Sequence, residues 1–376
     1  MVGLLRSAGL WDRPDAWRLL GDEPDNYRIV GAQASEAEAA LAEKLTNAID
    51  ANLMRRCLEE GIDPKGPDAP QSVREAVARF YDVGSRGSYS GSLAEWDNPK
   101  ILRVARSTTR VSISGDRRRQ IKRQQNHPSV TVLDYGEGQA PENHPGTLLS
   151  IGQSLKLGIP FQHGKFNMGG TAALRFCGQK HLQLILSKRA PRIAAQEGVS
   201  TDWGFTIVRK DYTPGERMSV YRYLAPVDGP EGEVIRFAAD SLPIGPDGNS
   251  PYVEEVESGT LIKLYQYQTE FRGQFGRDGG LRQELDVWLP VIPLPVRLHG
   301  RRSAQLRVES HRTEPAPCEC SEAGVPRYGR DDGRWTTSLL RALLYGEGCV
   351  ARVPRRTLDH FPGKRASTRH SWPTDL

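Results

Sequence analysis

The sequence predicts an α+β protein in which a mixed β-sheet carries helices on one face. Three observations predict this fold. A helical pattern with an apolar stripe begins at Ser35 and runs to about Glu60. An apolar strand at 130–133 ends in an acidic, glycine-containing turn. Beyond residue 180, five short strand-like segments alternate with loops that contain proline and glycine, a pattern that favours a sheet covered by helices.

Composition fits a soluble globular chain, with 376 residues, 38% hydrophobic and 26% charged. This length favours two domains, or one large domain with a smaller companion. The chain has no run of about eighteen apolar residues, so we expect no transmembrane helix and no membrane partner. Its five scattered cysteines favour a cytoplasmic location. The net charge of +5 permits a nucleic-acid partner without requiring one.

Residues 1–34 form a predicted N-terminal arm, in which Trp11, Trp17 and Tyr27 stand among prolines and acidic residues. Two interpretations are open: an arm that packs on its own domain, or a strap that reaches a second copy of the chain.

The helix from Ser35 carries a polar face as well as the apolar one. Ser35 and Glu38 have the spacing of a capping box, which predicts Ser35 as the N-cap. Glu43, Asn47 and Asp50 follow at i, i+4 and i+7, on one side of the helix. A solvated surface is the ordinary explanation of such a face. However, it has no paired lysines, and it places an asparagine in mid-helix, where helix propensity is poor.

The stretch 130–174 contains two groups of glycines. The strand at 130–133 runs into Asp134, and Gly136 and Gly138 complete a turn of the D-x-G-x-G type. A polar, glycine-rich segment then leads to a small-residue helix predicted at 172–176. Glycines let backbone N–H groups approach a phosphate, and a helix N-terminus adds partial positive charge. The alternative is a plain turn. The second group reads Gly164-Lys165-Phe166-Asn167-Met168-Gly169-Gly170-Thr171.

Together these segments resemble the ATPase superfamily of gyrase, heat-shock chaperones, histidine kinases and MutL, called GHKL or Bergerat-fold ATPases. The segment from Glu43 to Ala51 is similar to the N-box of that superfamily, and the Asp134 turn to its second motif. The segment 164–170 is similar to its third motif, except that Asn167 replaces a glycine. Asparagine tolerates left-handed backbone conformations. Ser258-Gly259-Thr260 is similar to the Gly-Thr strand that closes the pocket.

All four motifs occur in the family order, over about residues 35–270. A second, narrower resemblance is to bacterial MORC-like (paraMORC) ATPases. It depends on the order of the Gly-Thr strand, a Tyr-Gln-Tyr segment at 265–267, a helix and a Leu-Pro-Val segment. Such proteins are associated with restriction-like and phage-defence systems.

The resemblance implies a Bergerat-type α/β sandwich that binds ATP with Mg²⁺ and hydrolyses ATP slowly. It assigns Asn47 to the metal and Glu43 to the base that orients or deprotonates a water molecule. Asp134 and Thr260 would bind adenine. The remaining residues of the implied nucleotide site are Asp50, Gly136, Gly138, Lys156, Gly164, Lys165, Phe166, Asn167, Met168, Gly169, Gly170 and Thr171.

The implied partners are a second copy of the chain, which would join on nucleotide binding, together with DNA and proteins of a defence system. Two other functions stay open: a nucleotide-binding regulatory or structural subunit without turnover, and a chaperone-like ATPase. Glu43 favours hydrolysis, because a protein that only binds nucleotide needs no base there. Asn167, which replaces a glycine of the third motif, favours nucleotide binding without hydrolysis. Lys263 is the candidate for a lysine that completes the site.

The rest of the chain is predicted as loops and short elements. Residues 139–163, with six prolines and glycines and few apolar anchors, form a predicted mobile lid from which Lys156 reaches phosphate. The basic run at 116–125 is either a solvated loop or a phosphate-binding segment. Residues 73–81 are a predicted helix, 101–113 a strand and 281–289 a helix. Residues 271–376 form a C-terminal extension or the start of a second, β-rich domain.

Overall fold

The computed structural model describes residues 1–83, 91–114, 127–152, 156–163, 169–212, 218–226, 233–245, 253–269, 281–289, 291–300 and 303–306. Helices pack against a sheet with parallel and antiparallel strands, so the predicted α+β class is confirmed. The basic run at 116–125 lies outside the described residues.

A large sheet forms the centre of the molecule. The strands of the described chain are β1 Trp17–Leu19, β2 Thr109–Ser114, β3 Ser129–Asp134, β4 Gln183–Lys188, β5 Trp203–Tyr212, β6 Ser219–Leu224, β7 Ile235–Phe237, β8 Leu242–Ile244, β9 Glu254–Val256, β10 Gly259–Leu264, β11 Val296–Gly300 and β12 Ser303–Leu306. The order in the large sheet is β1-β6-β5-β4-β10-β3-β2-β11-β12, with β7 also paired to β5, while β8 and β9 form a separate hairpin. The β2–β11 pair is parallel and the other pairs are antiparallel.

The helices of the described chain are α1 Val2–Ser7, α2 Asn26–Gly31, α3 Ala37–Glu59, α4 Val73–Phe80, α5 Asn98–Arg106, α6 Gly169–Ala172, α7 Pro191–Glu197 and α8 Leu281–Trp288. The apolar stripe of α3, which includes Leu41 and Leu45, packs in one core with Val130 and Val132 of β3. Helices α4, α5 and α8 join the same core. The predicted capping box is wrong, because α3 begins at Ala37 with Glu36 as its N-cap and no side-chain capping bond.

The predicted strand at 101–113 is wrong over its first half, which belongs to α5. Asp97 caps this helix by accepting a hydrogen bond from the backbone N–H of Lys100, and Pro99 lies in the first turn. Ile101 and Val104 are buried at helical spacing. The second half is the predicted strand, β2. Local capping therefore decides the structure of a segment whose apolar residues alone suit either element.

The N-terminal arm packs on its own domain, since β1 extends the sheet beside β6. The side chain of Asn26 bonds to both backbone groups of Tyr221, donating to the carbonyl at 2.9 Å and accepting from the N–H at 2.7 Å. The guanidinium of Arg209 lies 3.8 Å from the ring centroid of Trp17 and 4.5 Å from that of Trp11. These contacts favour the first interpretation of the arm.

The second face of the sheet is covered as well. Leu184 and Leu186 of β4 and Phe205 of β5 pack with Leu5 of α1 and with the β8–β9 hairpin. The long helix α3 thus lies on one face, as predicted, while a short helix and a hairpin lie on the other.

An ionic cluster of two buried arginines and one partly exposed glutamate stabilises the outer strands. Arg110 of β2 and Arg297 of β11 are direct neighbours in the parallel pair. Glu254 of β9 accepts from both nitrogens of the Arg297 fork at 2.6 Å and from Arg110 at 3.1 Å. Burial acts to raise the pKa of Glu254, but the two guanidiniums outweigh it and hold that pKa at about 2. Residues 296–300 and 303–306 therefore extend the sheet. Residues 307–376 lie outside the described residues, and a second domain stays a prediction.

Candidate functional site

The polar face predicted on α3 is present. The helix is continuous from Ala37 to Glu59, so Glu43, Asn47 and Asp50 lie along one side of it. Glu43 is exposed, Asn47 is partly buried and Asp50 is fully buried. Within the described chain, Glu43 makes no hydrogen bond or ion pair. Its carboxylate is therefore open to a water molecule or ligand.

Asp50 binds two residues of the described range 156–163. Its carboxylate accepts from the backbone N–H of His163 at 3.1 Å and from the Lys156 ammonium at 3.2 Å. The same ammonium lies 2.9 Å from the amide oxygen of Asn47. One lysine therefore bridges two of the three polar residues on the α3 face.

The expectation that residues 139–163 have few apolar anchors is wrong for the described parts. Leu149 and Phe161 are fully buried. The ring of Phe161 packs edge-on against Phe80 of α4, with 6.4 Å between centroids. Residues 153–155 lie outside the described residues. The prediction that amide hydrogen exchange in this segment falls when nucleotide binds stays a prediction. The buried anchors limit how large that change can be.

Asp134, at the end of β3, is held beneath α3. Its Oδ1 accepts from the backbone N–H of Gly136 at 2.9 Å. The next residue, Glu137, donates its N–H to the carbonyl of Ala51 in α3 at 3.2 Å. Burial raises the pKa of Asp134 to about 7, although hydrogen bonds from the backbone N–H groups of Gly136 and Thr260 act in the opposite direction. A carboxyl group in this state changes its charge near neutral pH.

Thr260 lies beside Asp134, as the fourth motif predicts. In the sheet, Thr260 of β10 is paired with Asp134 of β3 on one side and with Ser187 of β4 on the other. The two hydroxyl oxygens of Ser187 and Thr260 are 2.9 Å apart. The hydroxyl of Ser187 also accepts from the N–H of Gln139 at 2.9 Å. Ser187 is thus a candidate site residue that the sequence motifs do not reveal, since only sheet register brings it here.

The glycines of the second motif permit close backbone packing. A side chain at Gly136 would meet the Cβ of Ala51 at 2.5 Å, which lets the turn pack directly on α3. Gly138 has a φ of +62°, and a Cβ there would lie 1.8 Å from the carbonyl oxygen of Lys188. The turn therefore fixes the end of β3 against both α3 and β4.

We expect Gly138→Ala to lower the free energy of unfolding by about 2–4 kcal/mol, because it combines a left-handed backbone with a backbone clash. Urea denaturation measures this change. Gly158→Ala is the matched control, since Gly158 also has positive φ, at +86°, but a Cβ added there would have nothing within 4 Å. Equal stabilities of the two variants would contradict the packing role given to Gly138.

The third motif is described only from Gly169 onward; Gly164, Lys165, Phe166, Asn167 and Met168 lie outside the described residues. The predicted helix at 172–176 is wrong in its start and type, because a single α-helical turn, α6, begins inside the motif at Gly169 and is continued by a 3₁₀ turn at 173–176. The carbonyl of Gly170 accepts from the buried ammonium of Lys44. Thr171 is 4% exposed and donates to the side-chain oxygen of Gln33 at 2.7 Å. In this conformation its hydroxyl is used within the protein, and its phosphate contact stays a prediction.

Lys263 does not belong to this group. Along β10, Ile262 faces the core of α3, whereas Leu261 faces the opposite core. Lys263 shares the side of Leu261 and lies 5.3 Å from the ring centroid of Tyr265. The sheet therefore separates its ammonium from Glu43. The prediction that Lys263 completes the site is wrong.

A pocket of about 260 Å³ opens beside the second motif but contains none of Glu43, Asn47, Asp50 or Asp134. We place the candidate site at those four residues rather than in the pocket, because both arginines of the pocket, Arg55 and Arg56, are already paired with its Glu59. Its lining is Asn52, Arg55, Arg56, Glu59, Tyr81, Ser107, Tyr135, Glu255, Glu257 and Ser258.

No family model matches the sequence, and no curated protein matches it either. Within the described chain, none of the helices has the length and apolar character needed to cross a membrane. The same residues contain no group of three or more His, Cys, Asp or Glu side chains placed to hold a metal ion. The resemblance to an ATPase superfamily thus depends on the motifs, and the function that it implies is a proposal.

Proposed function

We propose that this chain binds ATP together with Mg²⁺ and hydrolyses ATP slowly. One observation carries the proposal: segments far apart in sequence meet around a buried carboxyl group. The turn after Asp134 packs on Ala51 of α3, and Thr260 pairs with Asp134 in the sheet. These are the segments that resemble the first, second and fourth motifs of the superfamily, and they share the face of the sheet that α3 covers.

Adenine recognition would use Asp134 and its neighbours. An ionised Asp134 can accept a hydrogen bond from the adenine amino group, and the hydroxyls of Thr260 and Ser187 lie beside it. Asp134 is only 7% exposed. A buried polar group left without a partner is costly, so a site of this kind discriminates strongly against bases that lack the amino group.

The residues also suit a magnesium ion held mainly by phosphates and water. Asn47 would supply one oxygen ligand, and its amide oxygen already faces a positive charge, the Lys156 ammonium. Mg²⁺ prefers oxygen ligands and keeps several waters, so one protein oxygen is enough. When bound, Mg²⁺ would neutralise charge on the phosphates. Glu43, one turn before Asn47 and exposed, would hold a water molecule and accept its proton.

The exposed Glu43 favours hydrolysis over the alternative of a regulatory or structural subunit that binds nucleotide without turnover. A chaperone-like ATPase is a further alternative. Dimerisation on nucleotide binding, DNA as a partner, a cytoplasmic location and a role in a phage-defence system are parts of the proposal that depend on the resemblance alone.

Calorimetry with ATP, in the presence and absence of Mg²⁺, tests binding, and phosphate release with and without DNA tests turnover. We expect saturable, Mg²⁺-dependent binding of ATP and weaker binding of GTP, which has no amino group at the corresponding position. Binding without turnover would support the subunit alternative. If neither nucleotide bound, the proposal would be wrong.

ATP affinity should rise as pH increases through 7. Burial raises the pKa of Asp134 to about 7. Below that pH the carboxyl is protonated, so it can no longer accept a charge-assisted hydrogen bond from the adenine amino group. The effect is at most about tenfold in affinity per pH unit. The phosphates of ATP also titrate, with a pKa of about 6. Asp134→Asn keeps that contribution and is the control. Parallel pH profiles for the two proteins would contradict the role of Asp134.

A further inference from the structure

Lys156 lies over the polar face of α3. Its side chain is 24% exposed, and its ammonium bonds to the amide oxygen of Asn47 at 2.9 Å and to Asp50 at 3.2 Å. Burial raises the pKa values of Asp134 and Glu137, and the positive charge of this ammonium acts in the opposite direction on both. One positive charge is therefore placed between the α3 face and the end of β3.

The oxygens that hold this ammonium, one amide and one carboxylate oxygen, are of the type that divalent cations also bind. Asp50 is fully buried, and a buried carboxylate is costly unless it is paired. Its two oxygens contact the Lys156 ammonium and the N–H and ring nitrogen of His163. Of these groups, the ammonium is the one that carries a permanent charge. Asn47 adds a neutral oxygen of the kind that hard divalent cations accept.

We propose that Lys156 is a tethered counter-ion, which occupies the Asn47–Asp50 oxygen pair until a divalent cation replaces it. Metal and nucleotide binding would then require the ammonium to leave these oxygens, and the phosphates would offer it a new partner. The identity of the natural cation rests on the proposed function. The competition between Lys156 and an added cation does not, because it occurs without nucleotide.

Removal of the ammonium has two consequences. Lys156→Met takes the permanent positive charge of Lys156 away from the buried Asp50 carboxylate, so the variant loses stability. For the same reason its oxygen pair gains affinity for a free cation. Lys156→Arg keeps the positive charge beside Asp50, so we expect it to keep the wild-type affinity for a free cation. Removing the Asn47 oxygen from the Lys156→Met protein should remove the gain.

Mn²⁺ is the probe, because its paramagnetic resonance signal reports free ion directly. Titrations of nucleotide-free protein should show Mn²⁺ bound at least about tenfold more tightly by Lys156→Met than by the wild type, equivalent to about 1.4 kcal/mol. The double variant with Asn47→Ala, Lys156→Arg and the exposed-lysine control Lys180→Met should each show wild-type affinity. Wild-type affinity in Lys156→Met, or a gain that survives Asn47→Ala, would overturn the proposal.

Thermal unfolding with and without Mn²⁺ provides a second readout. Mn²⁺ should raise the melting temperature of Lys156→Met more than that of the wild type. If Lys156→Met does not fold, Lys156→Gln, which keeps polar contacts without the charge, takes its place in both measurements. If the wild type binds ATP but Lys156→Met binds Mn²⁺ no more tightly than the wild type does, the tethered counter-ion is wrong and the proposed function is unaffected. A Mn²⁺ gain in a protein that binds no ATP would reject the proposed function and leave the cation exchange standing.

Discussion

Glu43→Ala is expected to lower the rate of ATP hydrolysis by about 10²–10⁴-fold while leaving ATP affinity within about twofold of the wild type. The reason is its place on α3. Glu43 is one turn before Asn47 on the same side, is exposed, and has no hydrogen bond or ion pair within the described chain. Its removal therefore disturbs neither the anchored Asp50 nor the buried Asp134. Single-turnover hydrolysis and nucleotide retention on a filter are the measurements.

Two variants complete this experiment. Glu43→Gln keeps the size and polarity of the side chain but cannot accept a proton, so it should be as slow as Glu43→Ala. Glu60→Ala, at the other end of α3, removes an exposed glutamate and should hydrolyse ATP at the wild-type rate. Wild-type turnover in Glu43→Ala would show that the residue is not the base, whatever the fold.

Asp134→Asn is expected to weaken ATP binding by about 1–3 kcal/mol, the cost of losing a charge-assisted hydrogen bond. The carboxylate of Asp134 already accepts from the N–H of Gly136, and its several lone pairs leave capacity for a further donor such as the adenine amino group. Asparagine is uncharged and replaces one of the two acceptor oxygens with an NH2 donor, so it offers fewer and weaker acceptor sites to the adenine amino group. Calorimetry measures the change in Kd. We expect the loss to be similar for ATP and ADP, because both carry the same base.

Asp240→Asn is the matched control for this substitution, since Asp240 is exposed and its backbone carbonyl, not its side chain, bonds to Lys188. Circular dichroism and a melting curve establish that each variant is folded. A folded Asp134→Asn protein that bound ATP as tightly as the wild type would remove Asp134 from the adenine site.

Sequence periodicity predicts the parts of this site that lie within one element. The spacing of Glu43, Asn47 and Asp50 places them on one side of a helix, and α3 is that helix. The strand before Asp134 is likewise found where an apolar run precedes an acidic turn. In both cases the signal is local, since it depends only on the geometry of a helix or a strand.

Contacts between distant segments could not be predicted in the same way. Ser187 reaches Thr260 through strand register, and Lys156 contacts Asn47 although the two residues are 109 positions apart in sequence. Neighbouring residues of a strand face opposite sides of the sheet, and a short motif does not show which side belongs to the site. Lys263 could therefore be taken for a site residue although it lies on the other face. The extent of α5 depends on the cap that Asp97 provides, whereas α3 begins without a side-chain cap, so the capping-box motif does not determine where α3 starts.

The pairing of β2 with β11 has a consequence for how this protein comes to be folded. The hydroxyl of Thr108, just before β2, donates to the carbonyl of Pro295, which is 187 residues away in sequence. At the opposite edge, Asn26 bonds to Tyr221 across 195 residues. High contact order of this kind slows folding, because loop closure precedes the stabilising contacts. During synthesis β1 has no partner until β6 has been made, and β2 lacks its second partner until β11 has been made, so unpaired strand edges are exposed to other chains on the same polysome.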